Sequence, residues 1–270
     1  MSNLSKMAEL AQRILKKDTE YSKNKVIISD LFKQSSDIGL RLRVVDSIYS
    51  TQMNKRLFGF EDIASKISKS FNGEGDKAIR EEISSILSGK DSIRIKELLH
   101  GTYGRSKLGK EGSRATSLVS KYLYFVNNFD FPIYDSLVVE SYPLINRLIK
   151  GPREKLNEEN FIERLVRLKK DSGVDTFDKL DNLLWLTGKI KKGSLSLILN
   201  KEKYGRFIEI LGEKEIYSKI RKDGRNTSDS KKVDKAISGL MLDSNKLDLL
   251  EKKKVFSSQL KKFSLFVMKL

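Results

Sequence analysis

Asp135 stands in Phe131-Pro-Ile-Tyr-Asp-Ser-Leu-Val, where an aromatic and a proline give way to helix-forming residues. A carboxylate there can accept backbone N–H groups from the first helical turn, which makes it an N-cap. The same carboxylate, fixed in a cleft, can steady a developing sugar cation or orient an attacking water. Upstream, Gly101, Gly104, Gly109 and Gly112 punctuate a basic stretch that holds Arg105, Lys107, Lys110 and Arg114. Glycine permits the close backbone approach that a phosphate cradle needs, and a following helix N-terminus adds partial positive charge. An ordinary helix–helix turn is the alternative, and the pattern is neither a Walker motif nor a dinucleotide fingerprint. Arg114, Ser117 and Lys121 recur at helical spacing. That polar stripe can face nucleic acid, a cleft or solvent.

A third segment runs from Val44 and Val45 into Ser50-Thr51-Gln52, with cationic Lys55 and Arg56 close behind. Gln52 alone reads as a polar residue at a helix end. Tyr49, Tyr134 and Trp185 are aromatics able to stack on a base, or to fill a core.

Helices must position these groups. Apolar residues repeat at helical spacing at Met7, Leu10, Ala11 and Ile14, then at Leu40, Val44, Val45 and Ile48, then at Ile63, Ile67 and Phe71. Ile79 to Leu87 continues the pattern as far as Gly89. Leu118, Val119, Tyr122, Leu123 and Val126 predict one buried helical face directly after the glycines. A helix through Val138, Leu144 and Leu148 follows Asp135, with Pro143 expected to disturb its middle. Further helices are expected over Glu158 to Lys170 and Thr176 to Thr187. Strand signals are confined to Lys25-Val-Ile-Ile-Ser and Leu195 to Leu199, and neither makes a sheet. The expectation is an all-α chain in which residues 1–194 form a two-lobed core and residues 195–270 a helical extension.

Composition bounds the function. The 270 residues suffice for a real core, with hydrophobic residues at 39% and charged residues at 33%. Lys and Arg number 53 against 36 Asp and Glu, giving net charge +17 spread along the whole chain. Such a field attracts polyanions, although a Lys-rich surface can also be merely solvated. With Cys 0 and His 1, the chain has no thiolate zinc site, no Cys nucleophile, no cysteine-ligated cluster and no His-rich metal centre. No metal or other cofactor is expected. The N-terminal residues carry charges within their apolar pattern, and no run reaches the roughly 20 apolar residues of a membrane span. A cytoplasmic, nucleoid-associated protein acting as a monomer on double-stranded DNA, without a membrane partner, is the expectation.

Taken in order, Ile48-Tyr-Ser-Thr-Gln-Met, Leu108-Gly-Lys-Glu-Gly-Ser-Arg-Ala-Thr and Pro132-Ile-Tyr-Asp-Ser-Leu-Val resemble motifs of the helix-hairpin-helix DNA glycosylase superfamily. Those enzymes carry a helix ending like L-L-S-x-Q-T, a hairpin like L-P-G-V-G-x-K-T-A and a P-V-D-T-H-V-like segment with the catalytic Asp. The resemblance covers about residues 40 to 140. It implies that Gln52 enters the duplex near the space left by a flipped base, with Lys55 and Arg56 nearby. It also implies that Gly109 to Gly112 grip backbone phosphate and that Asp135 is the catalytic carboxylate. Members that also cut the strand use a Lys on the helix after the hairpin. Arg114 is nearest that place, so base removal without strand cutting is expected, and Lys121 is a second candidate further along. Lys110 replaces a usual glycine, and the cysteine cluster of one branch is absent. The implied activity is hydrolysis of the bond between a flipped, damaged or modified base and its deoxyribose, in base-excision repair or in defence against modified phage DNA. A non-enzymatic DNA-binding or regulatory protein that keeps the hairpin as a phosphate grip is the rival reading.

Overall fold

The computed structural model describes residues 2–16, 20–49, 60–105, 111–191, 258–260, 262–267 and 269–270. It is mostly helical. The helices are α1 (Asn3–Leu15), α2 (Glu20–Gln34), α3 (Ile38–Tyr49), α4 (Phe60–Ser70), α5 (Asp76–Leu87), α6 (Ile93–His100), α7 (Thr116–Val126), α8 (Ser136–Leu148), α9 (Phe161–Ser172) and α10 (Phe177–Lys191). Between α6 and α7 lie β1 (Thr102–Arg105) and β2 (Glu111–Arg114), an antiparallel ribbon. Among the described residues no helix is long and apolar enough to cross a membrane.

Two compact units share the chain, one of Met1–Lys23 with Asn182–Leu270, the other of Asn24–Asp181. The boundary expected at 194–195, like the strand signal at Leu195 to Leu199, lies outside the described residues.

In the first unit, α1 is amphipathic and buries Leu4, Met7, Ala8, Leu10, Ala11, Ile14 and Leu15. Ser2 caps it, its side chain accepting from Ser5 N at 3.0 Å. Tyr21 packs obliquely against Trp185 with ring centroids 4.5 Å apart and donates to Asn182 Oδ1 at 2.9 Å. Leu260, Phe263 and Val267 near the C-terminus are buried as well.

In the second unit α7 is the central element. Every residue of this helix except Ser117 is buried. A helix apolar nearly all round needs neighbours on all sides, and α3, α5 and α6 pack against it. Arg41 of α3 is 4% exposed and ties α3 to α5 through Asp76 at 2.7 Å.

Several expected features differ. Lys25-Val-Ile-Ile-Ser lies within helix α2, because Ile28 and Phe32 bury one helical face while Val26 and Ile27 stay exposed. Packing overrides β propensity there. Leu40 and Leu148 are exposed, and the buried faces run instead through Leu42 and Val45 on α3 and through Val138, Tyr142 and Ile145 on α8. Pro143 sits inside α8, which continues past it.

The largest departure is the ribbon. Gly112 belongs to β2 and not to a turn opening a helix. A Cβ at Gly112 would collide with the backbone carbonyls of Tyr103 and Gly104 on β1, so glycine is required by strand-to-strand contact. Gly104 has φ 70° and donates its N–H to Asp62 Oδ2 of α4 at 3.0 Å. Tyr103 anchors the ribbon to α6 by donating to Leu98 O at 2.7 Å. Gly112→Ala is therefore expected to destabilise the protein by about 2 kcal/mol or more, through forced backbone displacement. Urea unfolding measures this, and an unchanged midpoint would contradict the packing described.

Burial sets a pH limit on the same core. The phenols of Tyr103 and Tyr122 are both pushed up to about 12, chiefly by desolvation, with Arg41 partly offsetting it at Tyr122. In the unfolded chain a phenol ionises near 10. Between roughly pH 10 and 12 the unfolded state has lost protons that the folded state keeps, so stability falls as pH rises. The expected loss is about 2 kcal/mol per tyrosine. Unfolding at pH 9 and pH 11.5 should show a smaller drop in Tyr103→Phe and Tyr122→Phe than in the parent, and equal drops would refute the assignment.

Candidate active site

Asp135 caps α8. Its Oδ1 accepts from Leu137 N and Val138 N, each at 2.9 Å. Both donors are otherwise unused first-turn amides, and they fix the carboxylate with Oδ2 turned away. That oxygen lies 3.5 Å from Lys121 Nζ, with the lysine 3% and the aspartate 17% exposed. Capping and an ion pair therefore coexist in one side chain.

Lys121 is held from its own helix as well. Its Nζ donates to Ser117 Oγ one turn earlier at 2.9 Å and stands 5.5 Å above the ring centroid of Tyr49. A cation over an aromatic face is an attractive contact that strengthens with desolvation. The Tyr49 hydroxyl is driven well above its ordinary range, first by burial and then by Asp181, Asp135 and Asp178. It remains a protonated hydrogen-bond donor at neutral pH.

The connection from α7 to α8 sets the spacing of the pair. Asn128 and Phe129 adopt left-handed φ values of 51° and 69°, reversing the chain as α7 ends. Phe131 and Ile133 then enter the core, and Tyr134 N donates to Ser120 Oγ at 3.1 Å. Asp135 is thereby carried back to the level of Lys121.

A further ionic group in the same unit was not foreseen. Lys25 Nζ donates to Tyr124 Oη at 2.6 Å and to Asp178 Oδ1 at 2.7 Å, with Asp181 Oδ2 at 3.9 Å. Tyr124 is fully buried and itself donates to Asp178 Oδ1 at 2.7 Å. The Tyr124 phenol is pushed far up by burial and then by Asp178 and Asp181. Rings of Tyr124, Phe125 and Tyr49 follow in contact, 5.3 Å and 6.1 Å between successive centroids. They link this group to the Lys121 pair. The only sequence signal was Lys25 at the head of the apolar Val26-Ile27-Ile28.

The other candidate residues divide. Arg114 lies at the end of β2, exposed and ion-paired with Glu158 at 3.3 Å and with Glu159. Its guanidinium is raised by these hydrogen bonds and the Glu159 carboxyl is lowered by them. The stripe expected through Arg114, Ser117 and Lys121 therefore reduces to the last two, because α7 begins only at Thr116. Tyr134 is half-buried, packed on Phe161 at 5.3 Å, and its phenol is raised mainly by desolvation. Trp185 belongs to the other unit, 5% exposed and packed against Tyr21, which makes it a core side chain. Arg105 falls in β1 and Gly112 in β2. Gln52, Lys55, Arg56, Lys107, Gly109 and Lys110 lie outside the described residues.

Among the described residues no group of His, Asp and Glu could hold a metal ion. The arrangement is a carboxylate fixed by amides, an amine beside it and a protonated phenol beneath. It can stabilise a cation forming near Asp135, or offer an amine to an electrophilic carbon, in largely desolvated surroundings. Comparison with protein-family models, with curated proteins and with solved structures finds no match to this chain.

Proposed function

We propose that this protein is a DNA N-glycosylase that releases a flipped damaged or modified base, with Asp135 as the catalytic carboxylate. The observation that carries the reading is the Lys121–Asp135 pair, 3.5 Å apart at the N-terminus of α8. The segments Ile48 to Met53 and Pro132 to Val138, which resemble motifs of helix-hairpin-helix glycosylases, support it, as does net charge +17. Attack of water on C1′ breaks the bond to the base, and Asp135 Oδ2 stabilises the oxocarbenium character that develops. Tyr49 lines the base side of the site. The residues around Gly109 and Lys110 grip the backbone.

A second reading is favoured by one contact. Arg114, nearest the place of the strand-cutting Lys, stays protonated and cannot readily form a Schiff base. With Arg114 engaged by Glu158 and Glu159, it is Lys121 that stands beside Asp135. Its neutral amine can attack C1′ and displace the base, after which the C1′–O4′ bond opens, O4′ takes the nitrogen's proton and a Schiff base results.

Incubation with duplexes carrying oxidised, alkylated, deaminated or phage-type modified bases tests both readings. Alkali-labile abasic sites are the expected product. A borohydride-trapped adduct that disappears in Lys121→Met assigns the amine role, and release without an adduct assigns water as the nucleophile. DNA binding with no abasic site on any substrate would return the protein to the non-enzymatic reading.

A further inference from the structure

The second half of α8 and the segment that follows it enclose a cavity of about 990 Å³ lined by Val139, Pro143, Asn146 and Leu156, with Arg147, Lys150, Arg153 and Lys155 at its rim. Elsewhere on this unit the cations Arg43, Lys66, Arg94, Lys96, Arg114 and Lys179 each meet a carboxylate, while Lys69, Lys77, Lys90 and Lys170, spread over α4, α5, the turn after α5 and α9, meet none among the described residues. The rim cations meet none among the described residues, and all are exposed. The single carboxylate in the lining, Glu154, is already engaged by Arg164. Uncompensated positive charge concentrated around a concavity of this kind suits an anionic strand.

The groove is also built. Asn146 is 3% exposed and donates through Nδ2 to Pro152 O at 2.9 Å, which leaves its buried Oδ1 without a donor. Gly151 is placed against that amide so closely that a Cβ would collide with it. Lys150, at φ 55°, turns the chain so that Gly151 N donates to Asn146 O at 3.0 Å. That oxygen is buried against Gly151, so what the groove offers an occupant is its exposed rim cations, and the phosphates of a nucleic-acid backbone supply the matching charge.

The structure assigns this groove as a second phosphate-backbone contact for DNA, on the same helix that Asp135 caps. The assignment rests on the DNA reading above. A helix of this length spans about 20 Å, so the groove meets the strand up to roughly six nucleotides from the reacting sugar. It anchors the duplex while the base leaves the stack, and takes no part in the chemistry.

The test is the salt dependence of binding to a 30-base-pair duplex, comparing the parent with a variant carrying Arg147→Ala, Lys150→Ala, Arg153→Ala and Lys155→Ala. These side chains are exposed, and circular dichroism checks that the fold is kept. Each lost phosphate contact should lower the slope of log K against log salt by about 0.9. The expected fall is therefore about 2 or more, with the single-turnover rate at saturating protein unchanged. A hairpin-closed duplex ending about three base pairs from the modified base, on the side facing the groove, should bind parent and variant alike. An unchanged slope on the long duplex overturns the assignment, and so does an equal loss on the truncated one. Weaker binding of RNA alone in the variant would assign the groove to RNA and equally overturn it. A parent that binds DNA with the expected slope but releases no base would end the enzymatic reading and leave this contact standing.

Discussion

Asp135→Asn is expected to keep its helix cap, to lose about 1–3 kcal/mol of stability and to lose base release by a factor on the order of 10³. Asparagine caps a helix about as well as aspartate, so the contacts to Leu137 N and Val138 N persist through its amide oxygen. The charge facing Lys121 at 3.5 Å does not. Asp135→Ala separates the two roles. It removes the cap, worth about 1 kcal/mol, and also leaves a lysine that is 3% exposed without its carboxylate. A total of about 2–4 kcal/mol is expected, because water reaches part of the site. Urea unfolding of both variants, beside their rates of base release, checks the division. Equal destabilisation by Asn and Ala would mean that the carboxylate's place depends on charge more than on capping.

Lys121→Met should behave asymmetrically too. Methionine refills most of the volume with a flexible apolar chain, and Ser117 keeps access to its own backbone carbonyls. The Asp135 carboxylate retains two amide donors and is 17% exposed, so the fold should lose only about 1–2 kcal/mol. Base release should fall by two orders of magnitude or more if the amine attacks, and far less if it only pairs with Asp135. Lys121→Arg adds bulk at a site with almost no free surface, and should cost more stability than Met. Thermal unfolding with single-turnover rates distinguishes these outcomes. Full activity in Lys121→Met would remove the lysine from the mechanism.

The helices were largely legible because apolar spacing reports burial directly. Leu118, Val119, Tyr122, Leu123 and Val126 announced α7, and all are buried. Asp135 was legible as a cap for the same local reason. The ribbon was not, since Thr102 to Arg105 and Glu111 to Arg114 contain no β-branched run, and the need for Gly112 arises only when β1 lies against it. Lys121 could be singled out in the sequence but not seen beside Asp135, because the intervening path depends on left-handed Asn128 and Phe129. Lys25 meets Asp178 across 153 positions of sequence, a separation no local pattern encodes. Trp185 shows the converse, since an aromatic suited to stacking on a base packs instead against Tyr21.

Direct detection of the released base by mass spectrometry tests the central claim most sharply. Parent and Asp135→Asn are compared on a modified-base duplex at matched DNA occupancy. The account predicts stoichiometric free base from the parent and almost none from the variant. Release of no base from any modified duplex by the parent, or equal release by the variant, would contradict it.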